Sequence, residues 1–344
     1  MNNTTTLPYQ VSTVWDGLRY GIYLVQGLVL ALSNLLIAFT ILRYRALRSL
    51  KEYVIISGLS FIDALNGIAA VSAAFYRFYL LLLAKNLQHM VGRRQCFLTV
   101  HCITWTVAFP LQGIMLCVVS VDRFWAVAAP ISYLTLKYNY AAYIVVCVYS
   151  FGVVLLGIGG FLVWHRTGPE VSPLCLVGWG LVPGFYRLIY AVQIVSTLAS
   201  IGLYALVVIV YRRETNKKDI GNLARKWEKQ RRLTISLAIS CLFTLFFFGL
   251  PNTVIFLTHL YSYDFYFINV WAYIFSNVNP LFNVVIYWKR HVDLRLGMQA
   301  FLKCKEMPLD VSNWARSRRR ASDYGTRNTS AINLPMLEME LSCQ

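Results

Sequence analysis

Charged residues are absent from long stretches of this chain, and the stretches recur. Seven windows, 20–42, 53–76, 97–121, 138–164, 188–211, 233–263 and 265–288, each hold at most one Asp, Glu, Lys or Arg. A helix rising about 1.5 Å per residue needs roughly 20 residues to cross a hydrocarbon layer about 30 Å thick. Every window reaches that length. Hydrocarbon offers the backbone no water, so a spanning segment must close its own hydrogen bonds, as a helix does. The runs are continuous, without strict alternation or a turn signal every ten residues, which argues against a barrel. A soluble bundle of buried helices would need one polar stripe per helix. The pattern therefore predicts an all-α membrane protein with a seven-transmembrane helix bundle over 20–288. A polar tail, 1–19, precedes it. The basic amphipathic stretch 289–304 is predicted to lie as a short helix along the membrane surface, and 305–344 is a polar tail expected to be disordered.

Composition agrees: 58% of the 344 residues are apolar and 14% charged, where a soluble domain carries nearer a quarter charged residues. The net charge of +17 would suit nucleic acid, but its placement says otherwise. Of 32 Lys and Arg, 25 fall in the alternate segments 43–52, 122–137, 212–232 and beyond 288. The side rich in Lys and Arg stays cytoplasmic. This predicts an external N-terminus and a cytoplasmic C-terminus at the plasma membrane, with membrane lipid rather than nucleic acid as a partner of the basic charge. Residues 1–16 lack a basic n-region and a cleavage pattern, so the first helix is expected to serve as the insertion signal and stay. Asn2 and Asn3 each open an Asn-X-Thr sequon in the external tail and are candidate glycosylation sites. Cys96 and Cys175 both face the oxidising side, and a disulfide between them is expected. Cys304 follows the amphipathic stretch; palmitoylation and an unmodified surface thiol both remain open there.

Polar residues inside the windows carry the chemistry. Asp63 is the one acid deep in any of them. A carboxylate at mid-bilayer costs about 2.5–3.5 kcal/mol on insertion scales, so it must face the interior and find partners. Asn34, Ser276, Asn277 and Asn279 are the candidates. The centre reads either as a structural hydrogen-bond knot or as a cation-holding site, for sodium, that shifts during activation; the two are compatible. At the inner end of the third window stands Asp122-Arg123-Phe124.

These residues resemble the motifs of the rhodopsin-like class of G-protein-coupled receptors. Ser33-Asn34-Leu35-Leu36 resembles the helix-one Asn signature, and Leu59 with Asp63 the Leu-x-x-x-Asp of helix two. Asp122-Arg123-Phe124 resembles Asp-Arg-Tyr. Phe248-Gly249-Leu250-Pro251 resembles Cys-Trp-x-Pro of helix six, and Asn279-Pro280-Leu281-Phe282-Asn283 resembles Asn-Pro-x-x-Tyr of helix seven. Five motifs stand in order, each on its proper helix. Within the class, Arg94-Gln95-Cys96-Phe97, Ser120-Val121-Asp122-Arg123 and Pro130-Ile131-Ser132-Tyr133 are most similar to nematode serpentine receptors of the Srsx type.

The resemblance implies a mechanism. A ligand bound in the outer half swings helix six outward at its inner end, freeing Arg123 to meet a heterotrimeric G protein. Pro251 and Pro280 remove backbone donors and supply the kinks. Departures from the class carry expectations too. The acid that pairs with the helix-three Arg is replaced by Arg231, so a loosely held resting state is expected. Gly249 stands where the class has Trp. Cys96 lies further from Arg123 than the class spacing, which points to an extra residue near Pro110. Trp105 lies roughly 27 Å outward of Arg123 at helical rise, at the floor of the expected ligand pocket with Phe109, Asn252, Phe256, Asn269 and Tyr273. An amine ligand is not expected, because Trp105 replaces the usual Asp. Light is not either, because Tyr273 replaces the retinal Lys. The excess of external Arg favours anionic or neutral ligands, acidic peptides among them. The basic segment 212–232 suits acidic G-protein surfaces. Ser322, after three arginines, is a candidate phosphorylation site whose phosphate would release the tail from lipid or recruit an arrestin-like partner. An enzyme is disfavoured: the five His show no metal-ligand spacing and buried acids are not paired. The alternative is a seven-helix transporter or ligand-gated channel, which would need repeats or several intramembrane charges.

Overall fold

The computed structural model describes residues 13–83, 90–135, 138–217, 243–260 and 266–306. Among the described residues, five helices are long and apolar enough to cross a membrane: α1 (Thr13–Arg43), α3 (Lys51–Leu83), α5 (Val100–Ala128), α7 (Tyr138–Val163) and α9 (Pro183–Lys217). Short helices stand at their ends: α2 (Arg45–Arg48), α4 (Arg93–Phe97), α6 (Pro130–Thr135) and α8 (Val177–Gly180). Later in the chain a π-helical turn, Leu245–Gly249, runs into α10 (Leu250–Leu260). The helices α11 (Tyr266–Ser276), α12 (Val278–Arg290) and α13 (Val292–Leu302) follow. Two short strands, β1 (Val91–Gly92) and β2 (Pro169–Val171), pair antiparallel.

The bundle is packed by small residues and wrapped in large ones. A Cβ on Gly67 would meet the Ala31 nitrogen at 2.6 Å, and one on Gly27 the Gly67 oxygen at 2.8 Å. Backbones of α1 and α3 therefore touch along a Gly/Ala seam, the device that associates helices where lipid removes the hydrophobic drive. Gly113 does the same for α5 against Gln193 of α9, at 2.6 Å. Large apolar side chains stand on the outside instead: Val25, Leu32, Val146, Phe161 and Val195 are all exposed. So continuous an apolar coat fits lipid rather than water. α3 and α5 hold the centre of the bundle, while α7 and α9 show most of their apolar surface outward.

Three predicted boundaries shift, each for a local reason. α1 begins at Thr13, ahead of the apolar window. Asp16 lies in its first turn, where a helix's positive end favours a carboxylate, and pairs with Arg19 at 3.1 Å. The third helix is broken ahead of Val100. α4 ends at Phe97, and Thr99, extended at φ −69° and ψ 142°, starts α5 afresh. The additional length between Cys96 and Arg123 is thus taken up at Leu98–Thr99, and α5 runs unbroken past Pro110. The last window is two helices. Asn277 separates α11 from α12, three residues before Pro280, whose missing N–H cannot bond the Ser276 carbonyl.

A disulfide between Cys96 and Cys175, with Cα atoms 5.0 Å apart, ties the start of the third helix to the loop between β2 and α8. It marks one end of the bundle, the disulfide end. Arg123 marks the other, the arginine end. There α13 packs Leu294 and Met298 against Tyr44, Leu47 and Tyr53.

Candidate functional site

At the arginine end, α5 delivers Asp122 and Arg123 to the base of a cavity. Asp122 is buried, and the Tyr133 hydroxyl donates to both its carboxylate oxygens at 3.1 Å. Tyr133 rides on α6, which directly follows α5 and opens at Pro130, the residue suited to a first helical position. Burial, then the Asp122 charge, holds the Tyr133 phenol above its ordinary range, so it stays protonated and donates. Lys51 caps the arrangement: its Nζ lies 3.5 Å from the centre of the Tyr133 ring and donates to the Tyr133 carbonyl.

Arg123 is held by two acids. Its Nη2 lies 3.4 Å from Asp122, and its Nη1 lies 3.5 Å from Glu52, on the first turn of α3. The Glu52 carboxylate is 41% exposed, so that arm of the clamp is the one solvent can weaken. Tyr204, Asn283, Tyr287 and Arg290 line the same cavity. Burial, reinforced by Arg290 and Arg123, pushes His291 down to about 3, so its ring adds no charge to this mouth. Sequence reasoning overlooked Glu52. Its signal is an acid immediately before the second window, and nothing in the chain pairs that turn with α5 until the bundle is assembled. Arg231, the basis for expecting a loose resting state, lies outside the described residues.

In mid-bundle, Asp63 is fully buried and its Oδ1 accepts from Gln112 Nε2 at 2.8 Å. The predicted partners bond elsewhere. Ser276 Oγ donates to the Tyr273 carbonyl at 2.9 Å, Asn279 Oδ1 accepts from Thr244 at 3.1 Å, and Asn34 Nδ2 donates within α1 to Leu30. Gln112 takes their place because it projects from the central α5. Asp63 Oδ2, Ser60 Oγ and Asn34 Oδ1 remain buried with no hydrogen-bond partner among the described residues. Oxygen-only donors of this kind are the chemistry a hard cation such as sodium takes.

Pro251 stands where the π turn meets α10. The turn closes with the Leu250 N–H on the Leu245 carbonyl. Side chains then serve the carbonyls around the proline: Asn252 Nδ2 donates to Phe248 at 2.7 Å and Thr253 Oγ1 to Gly249 at 2.8 Å. Asn252 is thereby turned to its own backbone.

Towards the disulfide end, Trp105, Phe109 and Tyr273 come together in one aromatic stack. Tyr273 lies 6.1 Å from Trp105 and 5.6 Å from Phe109, with rings within 18° of parallel. Phe256 packs against the same cluster. Its polar edge is a group of phenols: Tyr273 bonds Tyr190, and its hydroxyl lies 3.2 Å from that of Tyr186. Below runs a hydrogen-bonded chain absent from the sequence reading. Trp105 Nε1 donates to Asn66 Oδ1 at 2.8 Å, and Asn66 Nδ2 donates to Asn277 Oδ1 at 2.8 Å. Gln26 reaches the Ile274 carbonyl at 2.9 Å. The floor of the aromatic cluster is thus bonded to the break in the last helix pair. Asn269 lies on α11, and its side chain is outside the described residues, as are Asn2, Asn3 and Ser322. Cys304 follows α13, exposed and with φ 50°.

Helices that are apolar outside and seamed by small residues inside, with an acid buried in mid-bundle and an ion-paired arginine at a cavity mouth, define a multi-pass helical membrane protein. Residues 33–287 match the family described as 7 transmembrane receptor (rhodopsin family). The match covers most of the chain, which belongs to that family of membrane receptors. No curated protein matches the chain.

Proposed function

We propose that this chain is a G-protein-coupled receptor of the plasma membrane, crossing the bilayer seven times with its N-terminus outside and its C-terminus in the cytoplasm. The disulfide end receives an extracellular ligand, a peptide or a small chemosensory molecule. The arginine end activates a heterotrimeric G protein. Within the family we place it with the Srsx-type serpentine receptors. The clamp on Arg123 carries the reading: a guanidinium held by one buried and one half-exposed carboxylate beside an open cavity. At rest the two acids occupy its donors. A ligand that disturbs the aromatic stack loads the Trp105–Asn66–Asn277 chain, and the last helices pivot at Asn277 and Pro280. Widening of the cavity draws Glu52 from Arg123, and the freed donors meet acceptors on the G protein. Asp63 Oδ2, Ser60 Oγ and Asn34 Oδ1 would hold a sodium ion, whose charge would offset that of the buried carboxylate at rest.

The test is a ligand screen in cells carrying promiscuous Gα subunits, with wild type and Arg123→Ala matched for surface display of an N-terminal tag on intact cells. The expected result is a response to at least one ligand that Arg123→Ala loses while its display is unchanged. A tag accessible only after permeabilisation, or a full response without Arg123, overturns the reading.

A further inference from the structure

Arg77 lies on α3 near the disulfide end and turns inward. Only 2% of it is exposed, so it does not reach out to headgroups as an arginine at a helix end usually does. A guanidinium carries five N–H donors. One of them, at Nε, reaches the Leu174 carbonyl at a long 3.4 Å; the others have no acceptor among the described residues. No carboxylate lies within ion-pair distance of it among those residues. Asp16, four residues before Tyr20 on α1, is bonded to Arg19 at 3.1 Å. What surrounds Arg77 is aromatic: the faces of Tyr20 and Tyr23 stand 5.8 and 5.9 Å from its guanidinium carbon. That is weak compensation for a buried charge.

Its place in the fold gives the charge a direction. Leu174 precedes Cys175, so the disulfide fixes the carbonyl over Arg77. Tyr76, the neighbouring residue, donates to the Pro173 carbonyl at 3.0 Å and packs its ring 5.2 Å from His101. His101 in turn meets Trp105 edge-on at 6.0 Å. Arg77 is close enough to act electrostatically on His101 and on Tyr273. A cation without a paired carboxylate among the described residues therefore stands inside the disulfide end, and from its neighbour Tyr76 a series of ring contacts leads through His101 to Trp105. An ionisable group buried in a membrane protein without a counter-charge marks a site for one.

We propose that Arg77 is the anchor for a carboxylate on the diffusible ligand, whose apolar, aromatic body is directed towards Trp105 and Tyr273. This rests on the receptor reading for the word ligand, but binding can be measured without a G protein. A carboxylate suits the planar fork, which takes two parallel hydrogen bonds from it.

The experiment uses the full chain in phosphatidylcholine nanodiscs, with and without phosphatidylserine, and reads the thermal unfolding midpoint. The probes are benzoate, phenylacetate and indole-3-acetate, each beside its neutral amide. At least one acid is expected to raise the midpoint, with its amide inactive and the response unchanged by phosphatidylserine. Arg77→Gln should weaken the apparent affinity for that acid about tenfold or more, and Arg77→Lys less. Arg187→Gln, which changes an exposed arginine on α9, should leave it intact. Acids and amides acting alike, no acid acting at all, or Arg77→Gln responding as wild type does, would each overturn the proposal. Suppression of the acid response by phosphatidylserine would too, because a lipid carboxylate would then be the occupant. If Arg77→Gln does not fold, the comparison of acid with amide on the wild type still decides. Acid binding that depends on Arg77, with no G protein activated, would leave this site standing and sink the coupling alone.

Discussion

The two ends of the bundle are built on opposite principles. The disulfide half is filled: rings of Trp105, Phe109 and Tyr273 stack face to face, phenols cap them, and a covalent bond fixes the loop above. The arginine half holds a cavity, and in its otherwise largely apolar lining the ions Glu52, Asp122 and Arg123 touch at 3.4 to 3.5 Å rather than interlock. A filled apolar cluster resists small displacements, since interiors pack as tightly as crystals. An exposed ion pair yields to them, because solvent and counter-ions replace it cheaply. Stiffness at one end and compliance at the other lets a modest rearrangement of the stack be read out as a change in the clamp. Between them lie polar crossings of the middle, Asp63–Gln112 and Trp105–Asn66–Asn277 among them.

The sharpest way to break this contrast is to unfasten the disulfide half. Cys175→Ser opens a linkage spanning 79 residues of sequence, and the loss of such a bond costs about 2–5 kcal/mol. Surface display should collapse and the melting midpoint fall, while the clamp on Arg123 is untouched. Trp105→Phe comes next. It keeps a ring in the stack but removes the donor to Asn66, leaving a buried oxygen unsatisfied at about 1–3 kcal/mol. Denaturation in nanodiscs should show that loss, and agonist responses should fall further than stability alone accounts for. The smallest effect belongs to the compliant end. Glu52→Gln removes a half-exposed ionic arm worth up to about 1 kcal/mol. Stability should hardly change, while ligand-free nucleotide exchange on Gα rises by a few fold.

Much of this was legible in the sequence, and the reason is hydrocarbon. Windows without charge become helices because lipid leaves the backbone no other option, so the spans of α3, α5, α7 and α9 follow the apolar runs closely. Residues on one helix could be placed by rise alone, as Trp105 and Phe109 are, one turn apart on α5; Tyr273 stacks on both from α11. Lateral neighbours could not. Gln112 rather than Asn279 bonds Asp63, and Glu52 rather than an acid of helix six holds Arg123, because both depend on how α3 and α5 are rotated against each other. That rotation is set by close approaches such as Gly58 of α3 on Met115 of α5, which carry no signature of their partner. The break at Leu98–Thr99 was hidden for a similar reason: its residues are ordinary for a helix, and the disulfide with the loop fixes where α4 ends.

Epistasis at the arginine end puts the whole scheme to the question. Ligand-free nucleotide exchange should be measured on Gα with wild type, Glu52→Gln, Arg123→Ala and the double variant, each in nanodiscs at equal folded amount. Glu52→Gln should exceed wild type, and the double variant should be as silent as Arg123→Ala, since the acid acts only by restraining that guanidinium. If Glu52→Gln raises exchange equally well when Arg123 is absent, the clamp is not the switch.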